Sequence, residues 1–345
     1  MANSIPIDGI KKIDRSNTLD VLLSFPDMVR KAYDLARPEM KIGKPENILV
    51  LGMGGSAIGG DLLSAWMLEK KGPQVIVNRD YDIPSFIGPK TLAFAVSYSG
   101  NTEETLSAFE QAKKRGCTLV TVSSGGKLEE SGDKKRHISL PKGLQPRAAV
   151  AYMLMPVLGV LQDMGVMSSR GEVDEAVEML KGQMRELGPG TQPPANPAMS
   201  LAFDLMDAFP MVFSGPFLGP VAKRWRTQLN ENAKILARED MLPELDHNDL
   251  VAWAEDPMAT RCAVVLLRDS GEHPRISKRM ALTRKLGWDR AKVVREVQSK
   301  GKGALARLMT SLVVGDFASF YLAMLRGADP TPVQVIERLK KELAG

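Results

Sequence analysis

The sequence contains few of the residues that bind metals or form disulfides. Its 345 residues include two cysteines, Cys117 and Cys262, and three scattered histidines. Both cysteines adjoin apolar runs, a setting typical of buried, reduced thiols. Neither H-x-H nor H-E-x-x-H occurs, so the spacing of a zinc site is missing. We therefore expect no disulfide framework and no metal.

A secretory signal and a membrane span are also missing from the sequence. Residues 1–17 contain charged side chains at five positions and no apolar segment of the kind that a signal peptide needs. The longest uncharged apolar stretch, 148–161, contains Pro156 and falls short of the roughly 20 residues that a membrane helix requires. These absences predict a cytoplasmic protein that does not enter a membrane.

The composition predicts a globular protein, and its charge favours an anionic small ligand. Hydrophobic residues make up 44% of the chain and charged residues 25%, which argues against a disordered or fibrous protein. The net charge of +5 is spread along the chain, as suits a small anion. Charge alone leaves nucleic acid open, but we find no helix-turn-helix segment and expect no nucleic-acid partner.

The first half of the chain alternates short β-rich runs with helical patterns. This alternation predicts an α/β fold in which helices cover both faces of a parallel sheet. The predicted strands are 47–51, 74–78, 91–97 and 118–123, and the predicted helices are 61–71 and 103–115.

A second α/β region follows a cluster of proline and glycine. The cluster, 188–197, comes directly after an amphipathic helical pattern at 174–187 and is the predicted linker. Thr331 is the predicted N-cap of the last helix, with Pro332 at its first position. Beyond the linker we predict strands at 211–214 and 263–267, and helices at 221–238, 302–325 and 331–343.

A glycine-rich segment, 52–61, follows the first predicted strand and leads into a helix. Glycines allow a sharp turn and a close ligand, and the amides at a helix start favour an anion. The segment is not an ATP-binding P-loop, because Gly60 stands where that motif has lysine. Ala57 at the third glycine position weakens a dinucleotide site. For this segment alone, an anion site and a tight structural turn both stay open.

Hydroxyl side chains gather where the third predicted strand ends. They belong to Ser97, Ser99, Thr102 and Thr105. Helix capping would account for one or two of them. A further polar loop, 123–126, follows the next strand in the same way. Because ligands of open α/β sheets bind at the carboxyl ends of the strands, the three loops together predict a phosphate site.

These loops and several later motifs resemble the bifunctional phosphoglucose/phosphomannose isomerases, a family within the SIS superfamily. The resemblance runs from about residue 47 to the C-terminus, through 52–61, 97–105, 145–147, 230–234, 244–248 and 331–340. It implies two SIS domains, each a mostly parallel, flavodoxin-like sheet flanked by helices. The corresponding division is an N-terminal segment packing on the core at 1–34, a first SIS domain at 35–187, the linker at 188–197 and a second SIS domain at 198–345.

The resemblance also implies which residues form the site. Those expected to bind substrate, chiefly its phosphate, are Gly54, Gly55, Ser56, Ser97, Ser99 and Thr102. The residues expected to carry the chemistry are Glu231, His247 and Lys340, with Arg147 near carbons 1 and 2 of the sugar. A homodimer is implied as well, in which the catalytic His247 is offered across the interface.

The implied reaction explains these residue types. Interconverting glucose 6-phosphate, and mannose 6-phosphate, with fructose 6-phosphate requires ring opening, proton transfer between carbons 1 and 2, and stabilisation of an enediolate. No cofactor is needed. Histidine exchanges protons near neutral pH, so His247 is the expected ring opener, assisted by Lys340. Glu231 is the expected base, and Arg147 the expected donor to the enediolate oxygens.

Each of these assignments has an ordinary alternative. Without the resemblance, Glu231 and Lys340 would be solvated helix residues and His247 a loop or capping residue. Asp246 is a departure from the family pattern, because many relatives have asparagine before this histidine. Thr331 is a candidate for the hydroxyl that accommodates both sugar epimers.

Two rival functions stay open. One is a non-catalytic SIS protein that senses a sugar phosphate, since the loops of the first half would explain binding alone. The other is a SIS isomerase for another sugar phosphate. Glu231, His247 and Lys340 favour catalysis, because a pure sensor has no use for them.

Overall fold

The computed structural model describes residues 5–40 and 43–343. Residues 1–4, 41–42 and 344–345, which fall within the predicted N-terminal segment and the two predicted SIS domains, lie outside this description. The described residues form two units. Unit A comprises Ser24–Lys181 and Gly301–Met309, and unit B comprises the described residues up to Leu23, Gly182–Lys300 and those from Thr310 onward. The predicted linker lies within unit B, and the boundaries drawn from the sequence stay a prediction.

One parallel sheet forms the centre of unit A. Its strands are β1 Asn47–Leu51, β2 Gln74–Asn78, β3 Thr91–Val96, β4 Thr118–Ser123 and β5 His137–Ser139. They lie in the order β2-β1-β3-β4-β5, and all neighbours are parallel. This is the flavodoxin-like order, in which the chain direction across the sheet reverses between β1 and β3. The predicted α/β class is confirmed.

A second parallel sheet forms the centre of unit B. Its strands are β6 Phe209–Ser214, β7 Arg238–Met241, β8 Cys262–Arg268 and β9 Val293–Gln298. They lie in the order β7-β6-β8-β9, again with all neighbours parallel. Unit B therefore repeats the first four strand positions of unit A.

Helices connect consecutive strands of each sheet, as is usual for parallel pairing, except between β2 and β3, where residues 79–90 contain no helix. In chain order they are α1 Ile7–Ile13, α2 Thr18–Leu23, α3 Phe25–Tyr33, α4 Gly54–Met67, α5 Glu103–Lys114, α6 Gly126–Ser131, α7 Val150–Asp163, α8 Arg170–Leu187, α9 Pro197–Leu205, α10 Gly219–Glu231, α11 Asp249–Glu255, α12 Pro274–Leu286, α13 Ala304–Leu325 and α14 Gln334–Leu343. Short 3₁₀ turns include Pro146–Ala149 and Glu244–His247.

The helix α13 is long and apolar enough to cross a membrane by length and composition. Its most apolar window is 94% buried inside the protein. Burial of this extent is typical of a core helix in a globular protein.

Aromatic packing forms part of the core of unit B. Phe213 stacks on Trp288 with ring centroids 5.1 Å apart, and Trp253 meets Phe213 edge-on at 6.0 Å. Leu245 is fully buried in the same cluster. Since Leu245 belongs to the turn Glu244–His247, this core anchors the turn that carries His247.

The glycine-rich segment 52–61 is mostly helix. We predicted the helix from residue 61, but α4 already begins at Gly54. A β-carbon on Gly60 would lie 2.9 Å from Val50 Cγ1, and one on Gly59 would lie 3.3 Å from Met153 O. These glycines therefore let α4 pack closely on its neighbours. In the sequence alone, the same glycines indicate a loop.

Two predictions in the second half were wrong. The predicted helix 221–238 ends at Glu231, and Arg238 begins β7. The predicted N-cap Thr331 lies outside α14, which begins at Gln334, while Val333 O accepts the first backbone bonds of that helix. The Thr331 hydroxyl instead lies 3.1 Å from Thr18 Oγ1.

Candidate active site

Three polar loops lie side by side at the carboxyl edge of the unit A sheet. They follow β1, β3 and β4, which are consecutive neighbours in the sheet. The first two flank the position at which the strand order reverses, where ligands of open α/β sheets bind. The fold thus brings together the loops that the sequence analysis grouped as a phosphate site.

The first loop follows β1 and forms the start of α4. Gly54 adopts a positive φ of +50°. A β-carbon on Gly52 would lie 3.0 Å from Val96 O, so the loop packs tightly on β3. The Ser56 side chain is buried, and its hydroxyl donates to Met153 Sδ at 2.9 Å. The hydroxyl of Ser56 is therefore directed into the protein, and the loop offers backbone amides rather than this side chain.

The second loop joins β3 to α5 and is held by its own hydroxyls. Ser97 Oγ lies 2.8 Å from Thr102 Oγ1 and accepts from Gly100 N at 3.1 Å. Ser99 is exposed, and its hydroxyl accepts from Asn101 N at 3.3 Å. Thr102 is the N-cap of α5, but its side chain makes no capping hydrogen bond to this helix. An exposed hydroxyl and helix-start amides are groups that bind phosphate oxygens.

Gly100→Ala is expected to lower the midpoint of urea unfolding more than a matched glycine substitution. Gly100 has φ +70°, and a β-carbon there would lie 1.8 Å from Gly125 O. We expect the free energy of unfolding to fall by about 2–4 kcal/mol because of backbone strain and overpacking. Gly165→Ala is the control, because Gly165 has φ +65° but, apart from its own atoms and its chain neighbours, no described atom lies within 4 Å of its β-carbon position. Equal losses of unfolding free energy in the two variants would contradict the close packing of the second loop, with Gly100, against the third loop, with Gly125.

The third loop follows β4 and lies against the second. Ser124 N and Ser124 Oγ both donate to Tyr98 O, at 2.9 and 2.7 Å. The Tyr98 hydroxyl donates to Pro141 O at 2.7 Å. A β-carbon on Gly125 would lie 3.9 Å from Lys142 Nζ, which places a cation beside this loop. Lys142 was not among the predicted site residues, since it lies outside every loop motif of the sequence.

Arg147 lies in the turn Pro146–Ala149, beside the first loop. A β-carbon on Gly55 would lie 3.0 Å from Pro146 O and 3.4 Å from Arg147 Cα. Arg147 is buried, with 9% of its surface exposed. Unit A therefore combines the predicted phosphate loops with the predicted donor to the enediolate.

Glu231 is the last residue of α10 in unit B and is half-buried. Polar contacts with α13 hold this helix in place. Arg224 donates from Nε and Nη2 to the two carboxylate oxygens of Asp316, at 3.0 and 2.8 Å. Directly after Glu231, Asn232 Nδ2 donates to Ser319 Oγ at 3.0 Å. These contacts fix the rotation of α10 about its axis and its position along α13. They thereby fix the position of Glu231.

The Arg224–Asp316 pair is an ion pair in the core, and both side chains are only 2% exposed. Burial raises the pKa of the Asp316 carboxyl, and Arg224 and a hydrogen bond with Gln228 act against that rise. Removal of one partner would leave an uncompensated charge in the core. The pair therefore favours a single arrangement of α10 against α13.

A cavity of about 630 Å³ adjoins Glu231 within unit B. Its polar lining includes Asn230, Lys234 and Gln334, and its apolar lining includes Ile235 and Ile336. The predicted base therefore borders a space in which a small molecule can lie.

His247 lies at the opposite end of the unit B sheet from Glu231. A β-carbon on Gly219, at the start of α10, would touch Met241 at the end of β7. Arg226 further along α10 pairs with Glu239 in β7. The helix thus runs antiparallel to β7, so that Glu231 lies near the start of β7. His247 follows the end of β7 and is exposed, so unit B of one chain does not bring these two residues together.

Asp246 anchors the turn that carries His247. Its carboxylate pairs with Arg279 Nη1 at 2.8 Å and accepts from Thr283 Oγ1 at 2.7 Å. Both partners belong to α12. Aspartate at this position therefore provides an ion pair with the neighbouring helix.

Lys340 is exposed on α14 in unit B. None of the residues Gln334–Leu343 is buried. The apolar side chains of this helix are exposed as well, with Val335 at 83%, Leu339 at 57% and Leu343 at 66%. An amphipathic helix whose apolar residues stay exposed is typical of a surface that contacts another molecule.

The cysteines form no disulfide with each other. Cys117 and Cys262 are free thiols, and burial raises the pKa of both. Within the described ranges, no group of three or more His, Cys, Asp or Glu side chains could hold a metal ion. Metal independence stays a prediction.

Two family models match the chain in the order of its two sheets. The model of the SIS domain matches residues 41–153, and that of the bacterial phospho-glucose isomerase C-terminal SIS domain matches residues 194–343. The bifunctional phosphoglucose/phosphomannose isomerase of Caldicellulosiruptor bescii is 37% identical to the chain, over 93% of the chain and 97% of the relative. The chain belongs to this family.

Further similarities agree with membership of the bifunctional phosphoglucose/phosphomannose isomerases. The enzyme of that name from Thermoplasma volcanium is 37% identical over 94% of the chain and 98% of the relative. The crystal structure of a glucose-6-phosphate isomerase like protein from Thermus thermophilus has a TM-score of 0.65 at 23% identity, and the similarity covers 97% of both chains. This structure shows the shared fold. The predicted family and its two SIS-type sheets are confirmed.

Proposed function

We propose that the chain is an aldose-ketose isomerase that interconverts glucose 6-phosphate and mannose 6-phosphate with fructose 6-phosphate. The observation that carries the proposal is 37% identity over 93% of the chain to a bifunctional phosphoglucose/phosphomannose isomerase. The reaction moves a proton between carbons 1 and 2 and requires neither a cofactor nor a metal. Cytoplasmic hexose-phosphate metabolism, in glycolysis and gluconeogenesis, is the corresponding setting.

The phosphate is bound by the loops of unit A. The exposed Ser99 hydroxyl and the first-turn amides of α4 and α5 meet its oxygens, as helix starts meet anions elsewhere. The bond between Ser97 and Thr102 shapes the second loop around these groups. Ser56 contributes through its backbone, because its hydroxyl donates to Met153 Sδ. The nearby Lys142 ammonium supplies positive charge.

Glu231 moves the proton between the two carbons. Its half-buried position beside a cavity and the polar contacts of α10 support this role, because a general base must be held within reach of one carbon-bound proton. Arg147 donates to the enediolate oxygens, and it keeps its charge throughout the reaction. Lys340 assists the histidine during ring opening and closure.

His247 opens the sugar ring, and it comes from the partner subunit of a homodimer. The separation of Glu231 and His247 within unit B supports this arrangement, since one copy of unit B keeps them at opposite ends of its sheet. The exposed apolar residues of α14 also support a dimer, because contact with a second subunit would remove them from water.

A substrate panel tests the proposed function. We expect the purified chain to convert both glucose 6-phosphate and mannose 6-phosphate to fructose 6-phosphate, measured with coupled dehydrogenase assays. We expect arabinose 5-phosphate and glucosamine 6-phosphate to be poor substrates, and extensive dialysis against a chelator to leave the rate unchanged. Binding of fructose 6-phosphate without any turnover would instead identify a sensor.

A further inference from the structure

Lys234 has a backbone conformation that is unusual for lysine. It lies three residues after the end of α10, and its φ is +56°. This left-handed conformation usually follows a helix at glycine, because a β-carbon there costs about 1–2 kcal/mol. Glycine at this position would avoid that cost. The side chain of Lys234 must therefore offset it through its own contacts.

The Lys234 ammonium binds backbone carbonyls from two distant segments. It donates to Glu231 O, at the C-terminal end of α10. It also donates to Pro332 O at 2.7 Å and to Pro330 O at 3.2 Å. A cation at a helix C-terminus is favoured by the helix dipole, and an ammonium has three protons to donate. The side chain thus joins the end of α10 to the turn 330–332.

The joined segments both carry residues of the proposed site. Glu231 lies on the first segment. The second contains Thr331, whose hydroxyl also contacts Thr18, and it leads into α14 with Lys340. Lys234 and Pro332 line the same cavity as Glu231. The ammonium group is therefore one of the contacts that link the turn 330–332 to the helix end that carries Glu231.

We propose that Lys234 is a positioning residue for the isomerisation, and this rests on the proposed function. Its ammonium keeps the distance between the end of α10 and the turn 330–332 fixed. The carboxylate of Glu231 and the C-terminal helix α14 can then act on the same substrate. Displacement of a reacting group by about 1 Å can cost roughly 100-fold in rate. The ammonium needs no contact with the substrate for this role.

Three substitutions separate the ammonium from the backbone conformation. Lys234→Met removes the charge and keeps the length of the side chain. Lys234→Gly removes the charge and suits a positive φ. Lys234→Arg keeps the charge with a different donor geometry. We expect Met and Gly to lower kcat by about 10- to 100-fold with KM changed less than threefold, and Arg to regain part of kcat.

Lys292→Met is the matched control in the same unit. The Lys292 ammonium also donates to backbone carbonyls, at 2.9 Å to Met206 O and 3.5 Å to Asp207 O. These acceptors precede β6 and lie outside the cavity lining of Glu231. We expect this variant to keep the wild-type kcat and KM.

Hydrogen exchange of residues 330–343 gives a readout that does not depend on turnover. Lys234→Met and Lys234→Gly should accelerate exchange there, whereas Lys292→Met should not. Suppose that wild type isomerises its substrates. The positioning role is then wrong if Lys234→Met and Lys234→Gly keep kcat within twofold of wild type. It is also wrong if Lys234→Arg regains none of the kcat that the other two variants lose. If wild type shows no isomerisation, the proposed function fails, and unchanged exchange in the Met and Gly variants would separately refute the link between the two segments.

Discussion

Glu231→Gln is expected to abolish most isomerisation while substrate binding persists. Glutamine keeps the size and the polarity of the side chain but cannot take a proton from carbon. General acid–base catalysis of this kind contributes roughly 10²- to 10⁴-fold to the rate, and we expect kcat to fall within that range. The loops of unit A, which we propose bind the phosphate, are untouched by the change. The affinity for fructose 6-phosphate should therefore stay within a few-fold of wild type.

Solvent exchange at carbon 1 of fructose 6-phosphate provides a second readout for this variant. A base that removes the carbon-bound proton introduces deuterium when the reaction runs in D₂O. Wild type should introduce deuterium during turnover, and Glu231→Gln should not, even after long incubation with saturating substrate. NMR of the recovered sugar phosphate measures this exchange directly.

Glu255→Gln is the matched control for the loss of Glu231. Glu255 is the last residue of α11, as Glu231 is the last residue of α10, and both belong to unit B. Glu255 is exposed and lies outside the cavity that Glu231 lines. Its substitution should leave kcat unchanged. Full turnover by Glu231→Gln would remove Glu231 from the mechanism and leave the proton transfer to another group.

The strands that the sequence predicts best are those whose own residues suffice to define them. β1, β2 and β4 have the predicted bounds, because each is a run of mostly apolar or β-branched residues between loop signals. β7 consists of Arg-Glu-Asp-Met, and we predicted helix up to its first residue and no strand. It is an edge strand whose pairing with β6 fixes its position, and edge strands tolerate charge. Its partner, rather than its own pattern, makes it a strand.

The candidate site was predictable wherever a motif is continuous in the sequence. The loops after β1, β3 and β4 were grouped correctly, because parallel strands bring their carboxyl ends to one edge. Contacts between residues that are far apart in the sequence could not be predicted in this way. The buried pairing of Arg224 with Asp316 joins residues 92 positions apart, and the bond from Lys234 to Pro332 joins residues 98 apart. Neither segment alone indicates its partner.

Co-expression of two inactive chains is expected to restore activity. One chain carries Glu231→Gln and the other His247→Ala, with different affinity tags, so that tandem purification isolates the mixed dimer. If each site combines Glu231 of one subunit with His247 of the other, one of the two sites in the mixed dimer has both residues intact. That dimer should show about half of the wild-type activity, whereas each variant alone is nearly inactive.

The geometry of unit B makes this outcome informative. Within one chain, Glu231 lies near the start of β7 and His247 follows its end, on an exposed turn that Asp246 anchors to α12. A site made from one chain would need both residues to meet despite this separation. In that case each site of the mixed dimer would lack one residue, and no activity would return.

The control dimer pairs the Glu231→Gln chain with a chain that carries both substitutions. It contains no intact Glu231, so it should be as inactive as the single variant under either arrangement. Activity in the first mixed dimer and none in the control would require His247 to act across the interface. A mixed dimer without activity, or a wild-type chain that elutes as a monomer at assay concentration, would mean that the histidine does not come from a second subunit.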